Sequence, residues 1–265
     1  MKIASKLIVA VAALAMLPVV KACASSIVPS SNLITKTVSV GNFDEIDAAQ
    51  VKVIVRVGSP TGTAKITAPD NIIDKLKISN SGDELKIGFQ KNFNIKGSSK
   101  TTVEITVPTL KEIEANLSAK IEIRGQLNTS GKLELCAGTS GTILMGKATA
   151  SSVDMEVGTS GTISIQQLSA TGTAECEAST SGAIKINKLA CSKIKAEANT
   201  SGAVSVSGGH ADEADLEANT SGAINVSPMN IETGKAEANT GGSVKCNIRD
   251  IRKIISNTGG RIRNK

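Results

Sequence analysis

Carboxylates recur through the second half of this chain at a near-constant interval. Glu114, Glu156, Glu177, Glu197, Glu217 and Glu237 hold one place of the pattern, which Cys136 also occupies once. Two residues before that place stand Glu134, Asp154, Glu175 and Asp215, alternating with Lys195, Lys235 and Lys253. Several carboxylate oxygens on one face are the chemistry of hard divalent cations or of basic ligands. The interleaved lysines offer a plainer role, because ammonium groups offset carboxylate repulsion without a metal. A solvated, charged face that discourages lateral sheet packing uses the same residues, and no metal or cofactor is expected.

A second row, Ser118, Ser140, Ser160, Ser181, Ser201 and Ser221, has the look of repeated nucleophiles. Nucleophilic serines need a base, an orienting acid and an oxyanion site. The single histidine, His210, sits in Gly208-Gly209-His210 and reads as a loop residue. Asn116, Asn199, Asn219, Asn239 and Asn257 precede the same motif, where stacked asparagines satisfy corner backbone groups as a ladder. Aromatic chemistry is nearly absent: Phe43, Phe89 and Phe93 stand alone, without Trp or Tyr. Stacking platforms for single-stranded nucleic acid therefore have nothing to use.

These residues belong to a repeat. Thr-Ser-Gly-(Thr/Ala)-(Ile/Val) begins at Thr139, Thr159, Thr180, Thr200 and Thr220. Degenerate copies begin at Leu117, Thr240 and Thr258, so successive starts lie 22, 20, 21, 20, 20, 20 and 18 residues apart. Four residues before each start the chain reads Ile113, Leu135, Met155, Cys176, Ala196, Leu216, Ala236 and Ile254. Four residues after, it reads Ile121, Ile143, Ile163, Ile184, Val204, Ile224, Val244 and Ile262. Apolar residues at every second place on both sides of a glycine corner mean two short strands per unit. The motif glycine is expected to supply the corner's positive φ, and Leu133, Val153, Ala174, Ile194 and Ala214 to build a third strand. No segment after residue 23 sustains a helical period.

The pattern predicts an all-β fold, a right-handed parallel β-helix of about eight coils of about 20 residues. Stacked coils make a rod of about 38 Å and need caps, because each buries its apolar side only against neighbours. Residues 36–112 form a less regular β region at one end, and 113–265 the repeats with a basic C-terminal cap. Period-2 strands in the former include Val51–Val57 and Val103–Val107.

Residues 1–22 read as a signal peptide: Lys2 and Lys6, then the apolar stretch Leu7–Val20, too short to span a membrane comfortably. Val20-Lys21-Ala22-Cys23 resembles a lipobox, making Cys23 a lipidation site and membrane anchor. Cleavage after Ala24 as ordinary export is the competing reading. Residues 23–35 then form a polar tether. Removing 1–22 lowers the formal charge from +6 to +3, so the basic balance belongs partly to the leader, and a nucleic-acid partner is not expected.

Gly41-Asn42-Phe43-Asp44-Glu45-Ile46, Asp83-Glu84-Leu85-Lys86-Ile87 and the run Val103–Ile113, followed by the repeat motifs, resemble the putative auto-transporter adhesin, head GIN domain family over about residues 38–225. That resemblance implies a β-helical cell-envelope protein of Gram-negative bacteria, commonly a lipoprotein, with no established catalytic residue. Ala119 departs from it by replacing the first motif's glycine. The expected function is adhesin-like binding of an envelope or extracellular ligand, glycan or protein, on a non-catalytic surface of an outer-membrane lipoprotein, or else of a periplasmic or secreted protein. A structural, self-assembling β-helix is the alternative, and a polysaccharide-active enzyme a further one. The short, uniform repeats leave no room for the long loops that border such an enzyme's cleft.

The same register fixes an expectation for sulfur. Cys136 and Cys176 fall two coils apart, about 10 Å at the stacking distance, whereas a disulfide needs Cα atoms within about 7 Å. Cys191 and Cys246 fall on other sides or coils. Thiol titration of the denatured, exported chain should find Cys136, Cys176, Cys191 and Cys246 all free; two or fewer thiols would break the register.

Overall fold

The computed structural model describes residues 25–91, 93–96 and 100–265. Strands fill about 67% of the described residues, which include no α-helix, only the 3-10 turn Ile73–Lys75. Short parallel strands stack into a β-solenoid of about eight turns. Each coil has three faces, and successive coils are joined by parallel ladders between equivalent residues.

The register reproduces the predicted columns. On the first face Ile46, Ile113, Leu135, Met155, Cys176, Ala196, Leu216, Ala236 and Ile254 form one continuous row. On the second, Val53 leads Ile121, Ile143, Ile163, Ile184, Val204, Ile224, Val244 and Ile262. Alternation sends these residues inward, where nearly all are buried, and burial of one such side chain stabilises by about 1.5–3 kcal/mol.

The third face is built from other residues than expected. Leu133, Val153 and Ala174 continue the first-face strands Lys132–Ala137, Ser152–Val157 and Thr173–Ala178. With no Gly or Pro to interrupt it, their alternation simply extends that strand. The third face is formed instead by the row Leu127, Ala148, Leu168 and Leu189, continued by Gly209 and Met229. Its corners absorb the unequal repeat lengths. A register shift between Ile123 and Gln126, where Gly125 takes φ 102°, accommodates one extra residue of the longest unit.

The corner between first and second faces also corrects the glycine expectation. Positive φ belongs to the residues before the motif glycine: Thr200 at 47° and Ser201 at 65°, Thr220 at 48° and Ser221 at 65°. The glycine is required by close approach. A Cβ on Gly202 or Gly222 would lie inside contact distance of the carbonyl of Ala178 or Ala198 in the coil below, and one on Gly182 would lie 2.7 Å from the carbonyl oxygen of Gly158. Ala119 fits in the first coil, where Leu117 and Ser118 still take φ 48° and 66°, because the rung beneath turns differently, through Gln50 at φ 61°.

The N-terminal region threads out of order. Glu84–Phe89 and Thr102–Val107 make the outermost parallel rung, while the earlier Glu45–Ala49 and Lys52–Val57 slot between it and the strands beginning at Glu112 and Lys120. Antiparallel strands then close this end: Leu76–Ser81 on the first face, Thr63–Pro69 and Leu33–Ser39 on the second. The segment expected as a tether takes part. Ser25–Ile27 pairs with Phe93–Ile95, and Ser30 and Asn32 donate hydrogen bonds to Asp70. At the other end residues 248–264 form the last coil of the stack, with Ile254 53% exposed.

Two substitutions separate close approach from φ. Gly202→Ala should destabilise by about 3 kcal/mol or prevent folding, since backbone must move. Ser201→Gly, relieving a left-handed residue at the cost of chain entropy, should stay within about 1 kcal/mol of the parent in urea melts. Equal losses would refute the assignment.

Candidate binding surface

Outward residues of the first face stack as strictly as the core. Asp47, Glu114, Cys136, Glu156, Glu177, Glu197, Glu217 and Glu237 form one row. Glu45, Glu112, Glu134, Asp154, Glu175, Lys195, Asp215, Lys235 and Lys253 form the next. The ladder holds like charges about 4.8 Å apart whether or not they attract anything. Lysines relieve the second row: Lys132 reaches Asp154 at 2.6 Å and Glu134 at 3.2 Å, Lys235 reaches Asp215 at 3.1 Å, and Lys195 pairs with Glu175.

The first row depends more on asparagine. Asn116, Asn199 and Asn219 donate to Glu114, Glu197 and Glu217 at 2.6, 2.6 and 2.8 Å. The expected asparagine ladder forms where Asn257 donates to Asn239 and Asn239 to Asn219, both at 3.1 Å. Among the described residues no three His, Cys, Asp or Glu side chains converge as a metal-ion site. The carboxylates make a string, not a cage.

Half-burial beside its neighbours pushes Glu177 up to about 6, chiefly by desolvation and then by Glu197. Burial likewise raises Glu156, Asp47 and Glu112. Cys136, set between Glu114 and Glu156, is pushed up to about 12 by burial and then by those carboxylates, so it remains a thiol.

The serines and the histidine are not brought together. Ser140, Ser160, Ser181, Ser201 and Ser221 occupy left-handed corner positions between the first two faces. His210 lies in the strand Gly209–Ala218, not in a loop, and pairs in register with Ala190 and Asn230. Its Nε2 is 3.1 Å from Asp212. A shallow depression of about 350 Å³ gathers Cys191, Ser192, His210 and Asp212 there. Burial pushes Cys191 up to about 12, which keeps it protonated rather than nucleophilic. Cys136, Cys176, Cys191 and Cys246 are free thiols.

A larger depression, about 640 Å³, lies at the N-terminal end of the first face and was not legible in the sequence. Its walls come from the adjacent strands Leu76–Ser81 and Glu84–Phe89 and the distant Glu45–Ala49, and include Lys77, Lys86 and Asp47. The leader at 1–22 and Cys23 lie outside the described residues. Among those described, no helix is long and apolar enough to cross a membrane.

The raised carboxylates have a pH signature. Glu177 holds a proton more readily folded than unfolded, so the stability it contributes is present at low pH and lost as pH rises from about 4.5 to about 6. Glu122 and Glu213, lowered by Arg124 and Lys193, act in the opposite sense, so the comparison is made with a variant. Glu177→Gln should raise Tm at pH 7 and flatten the fall across that window. A lower Tm at pH 7 would contradict the cost of burying that carboxylate beside Glu197.

The family model described as putative auto-transporter adhesin, head GIN domain matches residues 42–208 and 156–265. Similar solved structures include a putative adhesin from Parabacteroides merdae, with TM-score 0.78, 16% identity, and coverage of 91% of this chain and 99% of that one. A putative adhesin from Parabacteroides distasonis gives TM-score 0.72 at 16% identity, covering 91% and 100%. A putative lipid binding protein from the same species gives 0.56 at 16%, again covering 91% and 100%. At such identities these neighbours speak for the fold alone, and no curated protein matches. The stacked coils and a family match reaching residue 265 lead to one assignment: the chain belongs to the putative auto-transporter adhesin, head GIN domain family.

Proposed function

We propose that this chain is an exported, adhesin-like protein of the cell envelope that binds an envelope or extracellular glycan or protein without catalysis. In this reading residues 1–22 are removed and Cys23 carries a lipid that tethers the solenoid to the outer membrane. The observation that carries it is the first face itself. A ladder runs from the Glu84–Phe89 strand to the last coil, shifting register once, at Gly234–Lys235, and holding its outward side chains in fixed rows. Such a surface is stiff and broad, suited to contacts repeated along its length and poorly suited to enclosing a reacting bond.

One observation favours a second reading, end-to-end assembly. The final strands Ile248–Ser256 and Arg261–Asn264 have a ladder neighbour on one side only among the described residues, and Ile254 is exposed. Open strand edges of this kind pair readily with other chains.

The test is a deletion strain complemented with the parent chain or with Cys23→Ala. Loss of adherence to the native surface, restored by the parent chain and not by Cys23→Ala, is the result expected. Adherence unchanged by deletion would overturn the adhesive reading. A purified chain sedimenting as long oligomers would favour assembly instead.

A further inference from the structure

The depression at the N-terminal end of the first face differs in charge and shape from the rest of that face. Its floor exists because two small residues lie side by side: Gly88 pairs with Ala49 in the parallel rung and with Lys77 across the antiparallel one. In the next coil the row continued from Ala49 holds Asn116, whose amide stands over the sheet and caps Glu114. Here nothing fills that space, and about 640 Å³ is left open, a size ordinary for small-ligand sites.

Its charge is reversed too. Lys77, Lys86 and Lys91 line it against the single carboxylate Asp47. Lys86 is held by Glu84 at 2.8 Å and approaches Asp47 at 4.0 Å. Lys77 and Lys91 are exposed and have no ion-pair partner among the described residues. Phe89, also in the lining, packs against the core, and Ser79 and Gln90 add hydrogen-bonding groups.

We propose that this depression binds an acidic saccharide, a sugar bearing a carboxylate. The carboxylate sits between the ammonium groups of Lys77 and Lys91, and the sugar's apolar C–H face lies on the Gly88–Ala49 floor. Hydroxyls meet Ser79, Gln90 and Asp47, groups that a hydrocarbon tail could not use. An anion is directed here because the neighbouring rows of the face repel it. The inference rests on the adhesin-like reading and names its ligand class, but it can fail separately.

The experiment is a calorimetric titration of the purified chain with digalacturonate, with cellobiose as neutral probe and laurate as apolar acid. Digalacturonate should bind in a salt-weakened manner, and cellobiose about tenfold more weakly or worse. Ala49→Trp, which fills the floor, and Lys77→Glu/Lys91→Glu should each weaken digalacturonate binding by about tenfold or more. Lys185→Glu/Lys245→Glu, on the second face, should leave it unchanged. If Ala49→Trp fails to fold, the lysine pair still decides. Equal binding of both sugars, no binding of digalacturonate, uptake of laurate alone, or insensitivity to the lysine pair would each overturn the proposal. Cells carrying Lys77→Glu/Lys91→Glu that adhere as the parent does would overturn the depression's role and leave the adhesive reading intact.

Discussion

Every column in this molecule depends on how closely one coil's backbone can lie on the next at a single corner. At Gly202 the space that a Cβ would occupy belongs to the carbonyl of Ala178, and the same holds for Gly222 over Ala198 and Gly242 over Ala218. That approach lets Ser201 N–H donate to Thr220 carbonyl at 3.1 Å and Asn219 N–H to Ala198 carbonyl at 2.9 Å. The corner thus continues the ladder instead of interrupting it, and neither strand can slip. A slip of one residue would exchange the buried isoleucines for the outward charges.

The charged face follows from that constraint. Once the ladder is set, Glu156, Glu177 and Glu197 must stack whatever their mutual repulsion. Burial first and like neighbours second raise Glu156 and Glu177, and asparagine caps and interleaved lysines contain the repulsion. The N-terminal end escapes the rule because its outer rung is closed by an antiparallel strand, which brings Lys77 beside Gly88. One fold therefore presents a carboxylate-rich face and a lysine-lined depression at its end.

Much of this could be read from the amino-acid sequence, for a physical reason. A solenoid writes its third dimension into its period, so aligning the Thr-Ser-Gly motifs aligned the true stacking partners of Ile113 and Ile121. What escaped has physical reasons too. Positive φ at Thr200 and Ser201 leaves no mark in composition, since neither residue type advertises it as glycine does. The third face was misassigned because Leu133 and Leu135 alternate in phase, although the true row, Leu127, Ala148 and Leu168, shifts by a bulge at Gly125. The depression was invisible because the out-of-order rung at Glu45–Ala49 brings together residues that no local pattern links.

If neighbouring coils hold the fold together through equivalent corners, then one coil is removable as a unit. Deleting residues 199–218 joins Ala198 to Asn219, the residue that occupies the same place one coil later. Circular dichroism with thermal melting of this deletion should show a cooperative β-sheet protein, whereas deleting residues 199–208 alone should abolish the transition. If both deletions unfold the chain alike, the coils are not equivalent and the stacking account is wrong.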